Sequence, residues 1–149
     1  MERTFVMLKP DAVSRALMGE IISRFEKKGL KMVAAKFMRI TEEMAARHYA
    51  EHIDKDFYPK LLNFITSGPV LAMVWEGENS ISVVRKIVGK TDPAEAAPGT
   101  IRGDYGMIKT MNLVHASDSS DSAEREISIF FSDEEIIDWK RADQNWLSF

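Results

Sequence analysis

The apolar positions of this chain fall into blocks whose spacing switches between extended and helical. Thr4-Phe5-Val6-Met7-Leu8 reads as a first strand, closed by Lys9-Pro10. Proline suits the first turn of a helix, and Asp11 adds negative charge near that helix N-terminus. From about Ala12 to Lys28 the residues Ile21, Ile22 and Phe25 keep helical spacing, with Gly29 as the stop. Lys31 to Ile40 is apolar and extended, a second strand. Thr41 is placed to cap a helix whose first turn holds Glu42 and Glu43 and which carries Met44, His48, Tyr49 and His52. A further helix through Lys60 to Ile65 ends at Ser67-Gly68-Pro69. Pro69 to Trp75 is a continuous apolar run between turn residues, which predicts a central strand. Asn79 or Ser80 caps a helix reaching Val88, with Gly89 at its end.

From Lys90 to Gly106 the periodicity vanishes, and Pro93, Pro98, Gly99, Gly103 and Gly106 recur. A loop of this length in a compact domain is usually functional. A short last strand then leads to His115, and Asp121 with Glu124, and Ser132 with Glu135, form capping pairs for the turns that follow. Two split βαβ units in this order predict an α+β fold. The expected architecture is a ferredoxin-like sandwich, a four-stranded antiparallel sheet (βαββαβ) with helices packed on one face and a long loop.

Composition narrows the setting. A chain of 149 residues favours one domain, residues 1–149, and 45% apolar with 29% charged residues fits a soluble globular protein. The net charge of -3 gives no general attraction to nucleic acid or anionic membrane, so any phosphate site must be a local cluster of basic residues. There is no cysteine, which excludes disulfides and thiolate chemistry and suits a reducing compartment. The first residues lack the apolar stretch of a signal peptide, and no apolar run reaches the length of a membrane span, so a cytoplasmic protein is expected.

The stretch with most chemical content is Asn112-Leu113-Val114-His115-Ala116-Ser117-Asp118. It sets a histidine at the end of an apolar run, where a polar turn begins. Such a ring can be held in one orientation with one nitrogen facing a cavity, and neutral imidazole is a good nucleophile. Two other patterns carry less. Gly89-Lys90-Thr91 looks like the tail of a P-loop, but Val84 stands where the first glycine is needed, and the tripeptide follows a helix instead of opening one. His48 and His52 are four apart, yet Tyr49 replaces the glutamate of a zinc-binding H-E-x-x-H, so a packed or solvated pair is the better reading. Basic residues are spread along the chain: Lys9, Arg85, and Arg102 within Pro98-Gly99-Thr100-Ile101-Arg102-Gly103-Asp104. They read either as unrelated surface charges or as one pocket gathering a polyphosphate, since phosphoryl transfer needs preplaced cations around the moving group. From the residues alone Phe57 and Tyr49 read as core aromatics, Glu126 as a helix-surface carboxylate, and Ser117 and Asp118 as turn residues.

Six ordered segments now align with one family. They are TFVMLKPDAV (Thr4 to Val13), IISRFEKKG (Ile21 to Gly29), SGPVLAMVWEG (Ser67 to Gly77), PGTIRGD (Pro98 to Asp104), NLVHASDS (Asn112 to Ser119) and SAEREI (Ser122 to Ile127). In these the chain resembles the nucleoside diphosphate kinases over essentially its whole length. The resemblance implies that His115 takes the γ-phosphate of a nucleoside triphosphate as phosphohistidine and passes it to a diphosphate in a ping-pong cycle. It implies that Lys9 contacts the phosphates and the ribose 3′ hydroxyl, that Arg85, Thr91 and Arg102 bind the β- and γ-phosphates, and that Asn112 holds the sugar. Phe57 is implied to stack on the base, which tolerates every base because each has a π-face. Tyr49, Ser117 and Glu126 are implied to position the imidazole or its neighbours. Mg²⁺ is implied to ride on the phosphates, with no protein cage of its own.

The chain departs from the family pattern in two places. Ala12 replaces the glycine usual after Lys-Pro-Asp, and Lys109 stands where a valine often covers the second face of the base, a task its aliphatic stem can do. The family assembles as hexamers or tetramers, and the tail Asp143-Gln144-Asn145-Trp146-Leu147-Ser148-Phe149 resembles that of hexameric members. Trp146 and Phe149 would otherwise be exposed apolar surface, and the loop with Pro93 would lie near a threefold contact. The rival reading is a ferredoxin-like nucleotide- or RNA-binding module without catalysis. It requires aromatic RNP-type strand motifs and a basic face, and neither is visible. A catalytically dead relative would lack His115, Lys9 or Arg102, and all three are present.

Overall fold

A computed structural model describes residues 1–148; Phe149, expected to be an exposed apolar residue of the tail, lies outside the described residues. The strands are β1 (Glu2–Leu8), β2 (Lys31–Arg39), β3 (Pro69–Gly77) and β4 (Val114–Ala116). The helices are α1 (Pro10–Ser14), α2 (Met18–Lys28), α3 (Glu42–His48), α4 (Tyr58–Ile65), α5 (Ser80–Val88), α6 (Ile101–Tyr105) and α7 (Ser120–Phe130). The strands form one antiparallel sheet in the order β2-β3-β1-β4, the expected ferredoxin-like arrangement.

One expectation about the layers is corrected: both faces of the sheet are covered. Val6 and Leu8 of β1 join Met73, Trp75, Ile21, Phe25, Val84 and Val88 in one core, while Phe5 and Met7 join Val74, Ala45, Ile65 and Phe130 in another. Successive side chains of a strand point to opposite faces, so a strand without apolar–polar alternation has two faces to bury. Thr4–Leu8 carries that signal, since all five residues are buried.

Several boundaries also shift. The single helix expected from Ala12 to Lys28 is two. After α1, Ala16 enters the left-handed region (φ 58°), the Leu17 N–H reaches back to Ala12 O at 3.0 Å, and the Ala16 N–H bonds Val13 O at 3.0 Å. This is a Schellman stop made with alanine, so no glycine announced it. Gly29 makes the same stop after α2 (φ 108°), as the sequence predicted. The long loop is interrupted by α6, capped by Thr100, whose side chain accepts the Gly103 N–H. A Cβ at Gly103 would stand 2.0 Å from Ala97 O, so only glycine lets the chain fold this tightly. Helix α7 is capped by Ser119, which accepts the Ser122 N–H, and not by the Asp121–Glu124 pair. Asn79 is left-handed and makes no side-chain cap at α5; the Glu2 carboxylate takes the Ile81 N–H instead (2.8 Å). The capping box of Ser132 and Glu135 is present. Helix α3 ends at His48, and His52 falls in a separate 3₁₀ turn, so the two histidines do not share a helix. Among the described residues no helix is long and apolar enough to cross a membrane.

Candidate active site

Strand register aims His115. In β4, Val114 and Ala116 pack into the first core, so the side chain between them must point to the other face. There it meets Phe5, His48 and Glu126. The backbone before it is unusual. Leu113 is buried and left-handed (φ 74°), a conformation a bulky residue holds only when its surroundings over-determine it. The Val114 N–H turns back onto Asn112 O (2.8 Å), the Leu113 N–H donates to Asp11 Oδ2 (3.1 Å), and Leu113 O accepts the Lys9 N–H (2.9 Å). The Lys9-Pro10-Asp11 corner thus clamps the turn that presents His115.

The imidazole is fixed from behind. Its Nε2 lies 2.9 Å from Glu126 Oε1, and the same oxygen accepts the Ser117 hydroxyl (2.7 Å). Burial alone would raise the Glu126 carboxyl, but the His115 and Ser117 hydrogen bonds and the His115 charge hold it below its ordinary value. Glu126 is therefore a buried positioning carboxylate, and not the helix-surface residue its sequence context suggested. His115 itself is 24% exposed, so solvent reaches the ring.

The cationic residues converge on the same cavity, which has a volume of about 370 Å³. Lys9, Arg85, Thr91, Arg102, Asn112 and Tyr49 all line it together with His115 and Glu126. Lys9 Nζ donates to Asn112 Oδ1 (2.8 Å), and Asn112 Nδ2 donates to Thr91 O (3.0 Å). Arg85 donates to Ala116 O (3.0 Å). Arg102 is buried and donates to three carbonyls: Asn112 O (3.1 Å), Gly89 O (3.1 Å) and Val114 O. Burial, then the neighbouring Arg102 charge, pulls Lys9 from its ordinary 10.5 down to about 8, against the opposing pull of Asp11. Burial and Arg85 likewise pull Arg102 down to about 10. Among the described residues Lys9, Arg85 and Arg102 donate to neutral carbonyl and amide oxygens and close no ion pair, and two of them are pulled down by a neighbouring cation, which suits a site for an anion.

Two implied residues sit differently from the rest. Ser117 does not face the cavity and acts through Glu126. Phe57 is 50% exposed and does not form the cavity wall; it stands at the rim, its ring 5.4 Å from that of His52, which does. The plain reading of Phe57 as a core aromatic is thereby corrected, because it sits in the turn that starts α4, outside the apolar stripe. Tyr49 packs against the second core and also lines the cavity, its hydroxyl buried without a partner among the described residues and its phenol pushed upward by burial. Sequence reasoning missed two contributors. Asp11, from the sequence a helix N-terminal charge, accepts the Leu113 N–H. His48 is 5% exposed, its ring centroid lies 4.6 Å from that of His115, and burial followed by the His115 charge takes it down to about 3, so it is neutral. Neither residue carries a local signal, since each meets its partner from a segment distant along the chain.

Comparison with known proteins agrees with this geometry. The family model described as nucleoside diphosphate kinase matches residues 2–136. A nucleoside diphosphate kinase of Archaeoglobus fulgidus is 63% identical over 147 residues, covering 99% of this chain and 97% of its own length. One from Staphylococcus epidermidis is 60% identical, with 99% of each chain covered. Among solved structures, a halophilic nucleoside diphosphate kinase from Halobacterium salinarum in complex with CDP superposes with a TM-score of 0.96 at 57% identity, covering 99% of both chains. With a match of this length and identity, the chain belongs to the nucleoside diphosphate kinase family of enzymes.

Proposed function

We propose that this enzyme moves the γ-phosphate of a nucleoside triphosphate onto His115 and from there to a nucleoside diphosphate, in a ping-pong cycle. The observation that carries the reading is the 2.9 Å contact of Nε2 with Glu126, on a ring that opens into a cavity lined with cations. A hydrogen on Nε2 donated to Glu126 leaves the Nδ1 lone pair as the nucleophile. Its attack forms a P–N bond as the bond from the γ-phosphorus to the bridging oxygen breaks, and the nucleoside diphosphate leaves. Glu126 balances the positive charge the ring gains, and a terminal oxygen of the second diphosphate reverses the step. Lys9, Arg85 and Arg102 neutralise the phosphate oxygens without reorganising, because the protein already holds them. Thr91 supports the phosphates and Asn112 the sugar. Tyr49 and Ser117 support the imidazole and its carboxylate.

Mg²⁺ enters as part of the substrate, carried by the phosphates. This ion binds through substrate phosphates and water more readily than through an all-protein cage. Base tolerance follows from stacking on Phe57 at the rim, and the Halobacterium protein in complex with CDP supports a nucleotide in this cavity. Incubation with γ-labelled triphosphate tests the core of the proposal. Wild type should take acid-labile, base-stable label and surrender it to any nucleoside diphosphate, and His115→Ala should take none. A wild type that stays unlabelled overturns the reading.

Two broader features belong to the same proposal. Trp146 is 90% exposed, and Phe37 stands exposed on the edge strand β2, which supports a homo-oligomer, and the resemblance of the tail to that of hexameric members favours a hexamer over a tetramer. Native mass spectrometry should find six chains, and four would refute it. The cysteine-free sequence supports a cytoplasmic location, and cell fractionation that recovers the protein with membranes would refute that.

A further inference from the structure

His48 poses a problem that phosphate transfer does not solve. Its ring is almost wholly buried, yet neither nitrogen has a hydrogen-bond partner among the described residues. Buried polar atoms are nearly always satisfied, so an orphaned pair beside a cavity points to an absent ligand. The neighbours define its chemistry. One ligand atom each from His48, His115 and Glu126 lie within 4.8 Å of one another, and the two rings meet edge to face at 81°.

We propose that these three side chains form a site for a first-row transition-metal ion of the Zn²⁺ type, and that occupation switches the nucleophile off. Two imidazoles and one carboxylate suit such an ion, whereas Mg²⁺ demands oxygen, so the magnesium that accompanies nucleotides does not compete. Bonds of about 2.0–2.2 Å put donors roughly 3.3 Å apart in a tetrahedral shell. The His115–Glu126 contact of 2.9 Å therefore opens slightly, and His48 swings inward by ~1.5 Å at most. The fourth position faces the cavity. Lys9 and Arg125 line the same cavity, and Arg125 stands 3.6 Å from the other Glu126 oxygen. Their charge weakens the ion's hold and keeps it exchangeable, as a regulator must be.

The switch is a change of tautomer. In the resting ring the hydrogen sits on Nε2, facing Glu126. An ion on Nε2 requires that hydrogen to reside on Nδ1, with no net gain or loss of a proton by the ring. Nδ1 then has no lone pair to form the P–N bond. This consequence rests on His115 as the phosphate carrier, whereas the ion site itself does not.

The test uses the whole metal-free protein with ¹⁵N-labelled histidine and no nucleotide. Zn²⁺ is titrated against a chromophoric chelator, with excess Mg²⁺ present. The expected result is one ion per chain, with ¹⁵N shifts at His48 and His115 and none at His52, and at least tenfold weaker binding in His48→Leu. No binding, binding with the His48 signals unmoved, or full affinity in His48→Leu each overturns the proposal. Should His48→Leu fail to fold, the wild-type spectra decide. Because nucleotide is absent, failure of His115 to take labelled phosphate leaves this result standing, and failure here leaves the phosphate reading intact.

Discussion

On the side of the cavity built by α6 and the turn before β4, polar side chains are tied into the backbone, whereas the side built by residues 50–58 stands largely in solvent. Arg102 caps three carbonyls, Asn112 joins Lys9 to Thr91, and Asp11 holds the strained Leu113 turn. Across the cavity, Ile53 and Phe57 are exposed, and the segment between them makes only short-range turns. Under the proposed function the difference separates two tasks. Charge stabilisation works only when the groups are already in place, because reorganising them would cost what they supply. A stacking surface for unlike bases gains from freedom to adjust.

Arg102→Ala should break the stiff side most severely. It removes a cation from the proposed phosphate site and leaves Asn112 O, Gly89 O and Val114 O without their donor. We expect kcat/KM to fall by roughly two to three orders of magnitude, together with a lower melting temperature. Arg102→Lys should restore the charge but not the three-carbonyl fork, so most of the loss should persist. Steady-state kinetics beside a thermal melt measures both, and a lysine variant with wild-type activity would show that charge alone suffices.

Lys9 sharpens the same side through pH. In the free enzyme it is held at about 8, below its ordinary 10.5. A bound phosphate favours the charged form, so the site should take up a proton on binding between about pH 8 and 10 and none near pH 7. The sign is fixed: as pH rises through 8 the free ammonium is lost, and binding must regain that proton. Triphosphate affinity should therefore weaken by about tenfold per pH unit at most above 8. Titration calorimetry in two buffers of different ionisation enthalpy measures the uptake, and Lys9→Arg should abolish it. An unchanged uptake in that variant would assign the proton to another group.

The division of tasks also explains what could be read from the chain. The strands followed from apolar blocks, whereas the gathering of Lys9, Arg85 and Arg102 did not follow from spacing, which left them open as unrelated surface charges; only the family resemblance of segments such as Pro98 to Asp104 and Asn112 to Ser119 pointed to one pocket. The break at Ala16 was illegible because alanine takes a conformation usually given to glycine. The Ser119 cap was masked by the competing Asp121–Glu124 pattern a few residues on. His48 and Asp11 stayed hidden for another reason. Their roles arise from contacts between segments distant in the chain, with His115 and with Leu113, and no spacing along the chain encodes such contacts. The covered second face is legible in Thr4–Leu8, where apolar residues run on without polar alternation.

The smallest expected effect tests the exposed side. Phe57 has no carbonyl to cap and no core to fill, so Phe57→Ala should leave stability and kcat nearly unchanged. What it removes is a stacking face, and loss of base–aromatic stacking costs about 1–3 kcal/mol. A half-exposed ring belongs at the low end of that range, so KM should rise about fivefold. The rise should be similar for purine and pyrimidine substrates, since the contact reads a π-face and not a base edge. Phe57→Trp should lower KM back to or below the wild-type value. If Phe57→Ala instead lowers kcat with KM unchanged, the rim aromatic acts on the phosphate end through His52 and Tyr49, whose rings lie 5.4 and 6.4 Å along that chain of contacts, and the two sides of the cavity are not independent.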